Sequence, residues 1–130
     1  DSARALGALK TKYQLAIISN IDDDLFAYSA QRLQVPFDWV ITARQARSYK
    51  PSLNNFRVAF ERMGVPQNRI LHVAQSLYHD IVPAKALGLA TVWVNRRHDK
   101  AGFGATPAAE AQPDLEVPDL QTLAAQAGAL

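Results

Sequence analysis

Ile70-Leu71-His72-Val73-Ala74-Gln75-Ser76-Leu77-Tyr78-His79-Asp80, continuing to Gly88, decides the fold of this chain. Residues 70–74 are an apolar, β-favouring run. Gln75 and Ser76 break it. Residues 79–87 then read as a helix, stopped at Gly88. A second apolar run, residues 89–94, follows at once. The unit is strand, loop, helix, strand, with Asp80 near the start of its helix. In open α/β sheets, ligands bind in the crevice beyond the carboxyl ends of the strands. Polar side chains just after Ala74 belong at that rim.

The rest of the chain repeats the alternation. Residues 2–10 predict a short helix, capped by Ser2, with Leu6 and Leu9 on its apolar face. Residues 15–18 are a continuous apolar run, of the kind buried on both faces of a sheet. Ser19 and Asn20 end it. The acidic run Asp22-Asp23-Asp24 opens a helix to about residue 34, where acidic residues suit the helix dipole. Residues 39–42 form the second strand. Residues 44–50 are a basic loop closed by Pro51. Ser52 caps a long helix to Met63, stopped by Gly64-Val65-Pro66. Residues 96–107 form a loop with basic residues, and the stretch 101–112 is low in complexity and expected to be mobile. Residues 114–117 make a short edge strand, and Pro118-Asp119 starts a terminal helix with Leu120 and Leu123 inward. Strands alternating with helices give an α/β fold, a Rossmann-like parallel sheet with helices on both faces.

Composition narrows the function classes. With 130 residues the chain is expected to form one domain with a real core. A net charge of +2 is too small to point to nucleic acid. The absence of cysteine excludes disulfides and thiolate metal sites. No apolar run approaches a membrane span, and no signal peptide pattern is present. The expected location is the cytoplasm. The start at Asp1-Ser2-Ala3-Arg4 suggests a chain cut from something longer.

Three polar clusters converge on one rim of such a sheet. Ser19 and Asn20 follow the first strand, Lys50 follows the second, and Ser76 and Asp80 follow the third. A hydroxyl and an amide can hold an oxyanion, and a lysine can balance clustered negative charge. An aspartate can orient that lysine, bind a metal or position water. Taken singly, each has an ordinary structural reading. Ser19-Asn20 can be a cap with an Asx turn, Lys50 a solvated loop lysine, and Asp80 a helix-start residue. The Asp22–24 run reads as a solvated helix start, and Arg96, Arg97, His98 and Lys100 as a solvated loop. His72 reads as a strand residue and His79 as a solvent or cap residue; they do not form a metal pair. The case rests on the joint arrangement.

That arrangement resembles the haloacid dehalogenase (HAD) superfamily, and most of all its L-2-haloacid dehalogenase branch. The resemblance is carried by Leu15-Ala16-Ile17-Ile18-Ser19-Asn20, by Tyr49-Lys50-Pro51, and by His72 through Asp80. The motifs stand in order, roughly thirty residues apart, and the match covers nearly the whole chain. It implies a hydrolase in which an aspartate at the end of the first core strand attacks the substrate. The resulting aspartyl ester or aspartyl phosphate is then hydrolysed by water. It further implies that Ser19 binds the substrate's oxyanion with Asn20 beside it, and that Lys50 steadies the nucleophile. Asp80 matches the acidic residue of the last motif, with Ser76 in support.

Two departures from the family pattern matter. No Asp-x-Asp segment precedes Ser19, so the resemblance implies that the nucleophile strand and the cap domain lie outside this chain, and the fragment alone is expected to be inactive. In the family fold that strand is central, and its removal exposes two long apolar strand edges. The strand is expected in a separate segment; alternatively the edges close on each other or on a neighbouring molecule. A homodimer is the candidate assembly. The second departure is Gln75. Magnesium-dependent phosphatases of the superfamily usually carry Gly-Asp where this chain has Ala74-Gln75. A neutral amide is a poor ligand for a hard cation. This favours metal-free hydrolysis of a small 2-haloacid or related carboxylate, with no cofactor. The alternatives are a magnesium-dependent phosphatase of small phosphate esters, with Asp80 on the metal, and a non-catalytic α/β interaction module.

Overall fold

Trp39-Val40-Ile41-Thr42 and Thr91-Val92-Trp93-Val94 are rich in β-branched and aromatic side chains, which favour extended backbone. Both are strands in the computed structural model, which describes residues 2–21, 35–96 and 109–130. The elements are α1 (Ser2–Lys10), β1 (Ala16–Ser19), β2 (Trp39–Thr42), α2 (Ala43–Ala46) and α3 (Leu53–Met63). Then come β3 (Leu71–Ala74), α4 (Val82–Ala86), β4 (Ala90–Val94), β5 (Leu115–Val117) and α5 (Leu120–Gln126). A 3-10 turn, Gln67–Arg69, leads into β3, and a π-helical turn, Leu77–Ile81, leads into α4. Among the described residues no helix is long and apolar enough to cross a membrane. The expected helix after Asp22 and most of the loop after Arg96 lie outside the described residues.

Every strand pair is parallel, as the α/β reading expects, but the strands form two sheets. One is β1–β2, with Ile18 opposite Ile41. The other is β3–β4–β5, with Val73 opposite Val92 and β5 at the edge. The edges of β1 and β3 face each other across a cavity of about 410 Å³, lined by Ala16, Ile17 and Ile18 on one side and Leu71, His72 and Val73 on the other. Phe56 and Phe60 of α3 and Leu9 and Leu120 of α1 and α5 also line it.

The slot corrects one expectation. Residues 15–18 read as a strand buried on both faces, yet none of Ala16–Ser19 is buried. None of Leu71–Ala74 is buried either, and Leu71 is 52% exposed. By contrast β2 buries Ile41 and Thr42, and β4 buries Thr91, Val92 and Val94. Among the described residues β4 pairs along both edges, and Ile41 of β2 is covered by Ala46 of α2 and Ala59 of α3, whereas β1 and β3 each turn an edge to the cavity. Their apolar character suits an interior position that the described residues do not complete.

Helices join the two half-sheets. Phe56, fully buried on α3, packs with Ala84 and Leu89, and Ile18 of β1 packs against the same cluster. On another face Ala5 and Leu9 of α1 meet Ala124 of α5, with Leu15 and Leu120 against them.

Local chemistry sets the element ends. Ser52 caps α3 by accepting from the Asn54 amide, and Gly64 ends it at φ +65°, a left-handed conformation that glycine adopts without penalty. Ser2, expected as a cap, is instead the first residue of α1, and its hydroxyl accepts from Arg96 at 2.9 Å. The basic stretch 44–50 begins as a helical turn rather than a loop, because Thr42 accepts from the Gln45 amide and caps α2. The expected helix over 79–87 starts as a π turn, with the amides of Asp80 and Ile81 both donating to the Ser76 carbonyl. Pro83 has no N–H to return to residue 79, so the α pattern is interrupted there.

Phe56→Ala is expected to cost about 3–5 kcal/mol, because it empties the cluster that joins the two half-sheets. Urea denaturation at neutral pH checks this; a loss under about 1 kcal/mol would show that the halves do not depend on Phe56.

Candidate active site

Lys50 is placed by two clamps, one on its own main chain and one on Ser48 of its loop. Asn20, just past β1, accepts from the Lys50 amide at 2.7 Å and donates to the Lys50 carbonyl at 3.2 Å. The second clamp comes from α3. Asn55 is fully buried; it donates to the Ser48 carbonyl at 2.8 Å and accepts from the Ser48 hydroxyl at 2.7 Å. The loop after α2 is thus tied both to the end of β1 and to α3. Its lysine is aimed inward, with a side chain only 11% exposed.

Asp80 is delivered by the π turn after β3. Ser76 caps that turn, its hydroxyl accepting from the His79 amide at 3.1 Å. The hydroxyl also bonds His79 Nδ1 at 3.0 Å. Asp80 is buried, and its Oδ1 receives two donors: Lys50 Nζ at 2.7 Å and His72 Nε2 at 3.0 Å. Burial alone would raise the carboxyl's pKa. The hydrogen bond from His72 and the charge on Lys50 outweigh it, and the net shift is downward from 3.8. Asp80 is therefore ionised and can only accept.

Ser19 lies at the end of β1, half-buried, and its Oγ accepts from the Ile21 amide at 3.1 Å. That bond leaves the hydroxyl proton to donate. Asn20 spends its carbonyl oxygen and one amide hydrogen on the main chain of Lys50, so its observed work is to position the lysine. Ser76 acts on Asp80 through the backbone of the turn. The structure thus brings Asn20, Lys50, Ser76 and Asp80 into one connected arrangement, with Ser19 next to Asn20. Asp22, Asp23 and Asp24 lie outside the described residues.

Two contributors were not singled out by sequence reasoning. His72 read as an ordinary strand residue; the signal was a polar side chain inside an apolar run, which needs a buried partner. Asn55 sits beside Phe56, one turn before Ala59, on the buried face of α3. A buried amide there marks a backbone group in need of a bond.

Asp80 Oδ1 already carries an ammonium and an imidazole donor, and Gln75, where a second carboxylate would stand, is an exposed neutral amide. Among the described residues no three His, Cys, Asp or Glu gather as a metal site.

A parallel α/β core with a buried lysine–aspartate pair on its carboxyl rim is a Rossmann-like scaffold. The family model for haloacid dehalogenase-like hydrolases matches residues 1–94, and the chain belongs to that family. It is 30% identical over 110 residues to the (S)-2-haloacid dehalogenase 4A of Burkholderia cepacia, covering 82% of this chain and 47% of that protein. An L-2-haloacid dehalogenase of known structure superposes with a TM-score of 0.82 at 30% identity, covering 98% of this chain and 55% of that one. A HAD phosphatase from Thermococcus onnurineus superposes at 0.76 with 28% identity, covering 97% and 56%. The chain spans about half the length of these relatives.

Asp80's depressed pKa contributes stability above the unfolded carboxyl value, and that contribution is lost as pH falls through the folded pKa. Lys50→Met removes a lowering influence and leaves a buried carboxylate short of its cation. The expected loss is about 3–5 kcal/mol at neutral pH, shrinking in acid as the carboxyl is protonated and the buried charge disappears. Denaturant titrations across that range check the sign; a loss independent of pH would contradict the coupling.

Proposed function

We propose that this chain is the core portion of a hydrolase that works through an aspartyl-ester intermediate on a small 2-haloacid or related carboxylate. The observation that carries this reading is the buried Lys50–Asp80 pair, which lines the same slot as the unpaired edges of β1 and β3. In this reading a further parallel strand of the whole protein fills the slot and brings the nucleophilic aspartate to the rim. A cap segment closes over it.

The chemistry follows from the charges. The nucleophile's carboxylate oxygen attacks the carbon bearing the halogen, a C–O bond forms, and the halide leaves with the bonding electrons. Water then adds to the ester carbonyl, releasing the hydroxy acid and restoring the aspartate. Lys50 holds the nucleophile ionised and offsets the charge that develops on it. Asp80 orients Lys50 and positions the water. Ser19 donates to the substrate carboxylate, and Asn20 keeps the Lys50 loop against the end of β1. Ser76 holds the turn that carries Asp80. No step of this reading needs a metal.

A phosphatase of small phosphate esters is the second reading, favoured by the similarity to the Thermococcus phosphatase. A non-catalytic interaction module is the third, and it needs neither Ser19 nor Lys50. The test uses the full-length protein. Halide release from 2-haloacids in the presence of a chelator supports the first reading. Phosphate release that requires magnesium selects the second. Lys50→Ala is expected to lower kcat by at least about 10²–10³-fold with either substrate class; unchanged turnover in that variant would sink both enzyme readings.

A further inference from the structure

We propose that His72 is a positioning residue, holding Asp80 in the one orientation that presents Oδ1 to Lys50. The kinetic part of this inference rests on the hydrolase reading above; the structural part stands without it. His72 is the second residue of β3, and its side chain is only 14% exposed. Because ionised Asp80 has no proton to give, the 3.0 Å contact must be an N–H donated by His72 Nε2. That places a proton on Nε2. The ring plane is fixed as well. Phe56 packs against it edge to face, with ring centres 5.0 Å apart and planes at 69°. Phe56 is itself fully buried.

A carboxylate held by one flexible lysine still turns about its last torsion, which is broad for aspartate. A second donor on a rigid strand removes that freedom. Both donors meet at Oδ1, and they come from different half-sheets: Lys50 from the loop after β2, His72 from β3. Among the described residues no donor takes Oδ2, so the arrangement leaves that oxygen for water or a reacting group in the slot. Among the described residues the one charged group that His72 bonds is Asp80, and its work is done through it.

The test compares His72→Leu with His72→Gln in the full-length protein. The glutamine amide reaches the place of Nε2 and can donate the same bond; leucine cannot. His72→Leu is expected to lower kcat by about 10²-fold with KM nearly unchanged, and His72→Gln to recover most of the rate. Crystal structures of the variants should show the Lys50–Asp80 bond kept with glutamine and broken with leucine. Should the wild-type protein turn over neither 2-haloacids nor phosphate esters, the hydrolase reading fails. The crystallographic comparison then still decides the role of His72. Equal impairment of both variants, or an unmoved Asp80 in His72→Leu, would overturn the proposal.

Discussion

Asp80 Oδ1 is where the two half-sheets meet electrostatically. One donor reaches it from the β1–β2 side and one from β3 itself. Removing a carboxylate from water costs several kcal/mol, and the cost is recovered only with good geometry and full hydrogen bonding. The surrounding structure supplies the geometry and two donors to Oδ1. Asn20 and Asn55 immobilise the loop of Lys50, the Ser76 cap sets the turn of Asp80, and Phe56 fixes the ring of His72. Each of these contacts is a backbone or ring constraint, so the charged groups themselves have little freedom left to lose.

The slot is the complement of that pair. Among the described residues β1 and β3 each leave one edge unpaired, and such edges would ordinarily be an aggregation hazard. Here the edges look at each other, walled by α3 on one side and by α1 and α5 on another, with Lys50 and Asp80 among the lining residues. An extended segment with apolar side chains and a carboxylate at its end matches that lining in both polarity and charge. The two features explain one another: a lysine and an aspartate are held at the rim of a channel whose walls accept a strand.

Much of this was legible in the sequence, and the limits have physical causes. The alternation of apolar runs with helical segments gave the parallel α/β class. The breaks at Ser52 and Gly64 gave α3 with its ends, because caps and left-handed glycines are local signals. Lys50 and Asp80 could be named from their place after strands. Their direct bond could not, since it depends on how two loops pack. The under-burial of β1 was misread because an apolar run records where a strand belongs in a finished sheet, not which neighbours are at hand. The π turn at Leu77–Ile81 was read as plain helix, although Pro83 carried the warning. His72 was passed over because a single polar residue in a strand says that it needs a partner without saying which.

The most direct test of this account is a crystal structure of the full-length protein. The account predicts one further parallel strand, hydrogen-bonded to β1 on one edge and to β3 on the other, ending with a carboxylate within reach of Lys50 Nζ. A structure in which β1 pairs directly with β3, or in which side chains alone fill the slot, would contradict it.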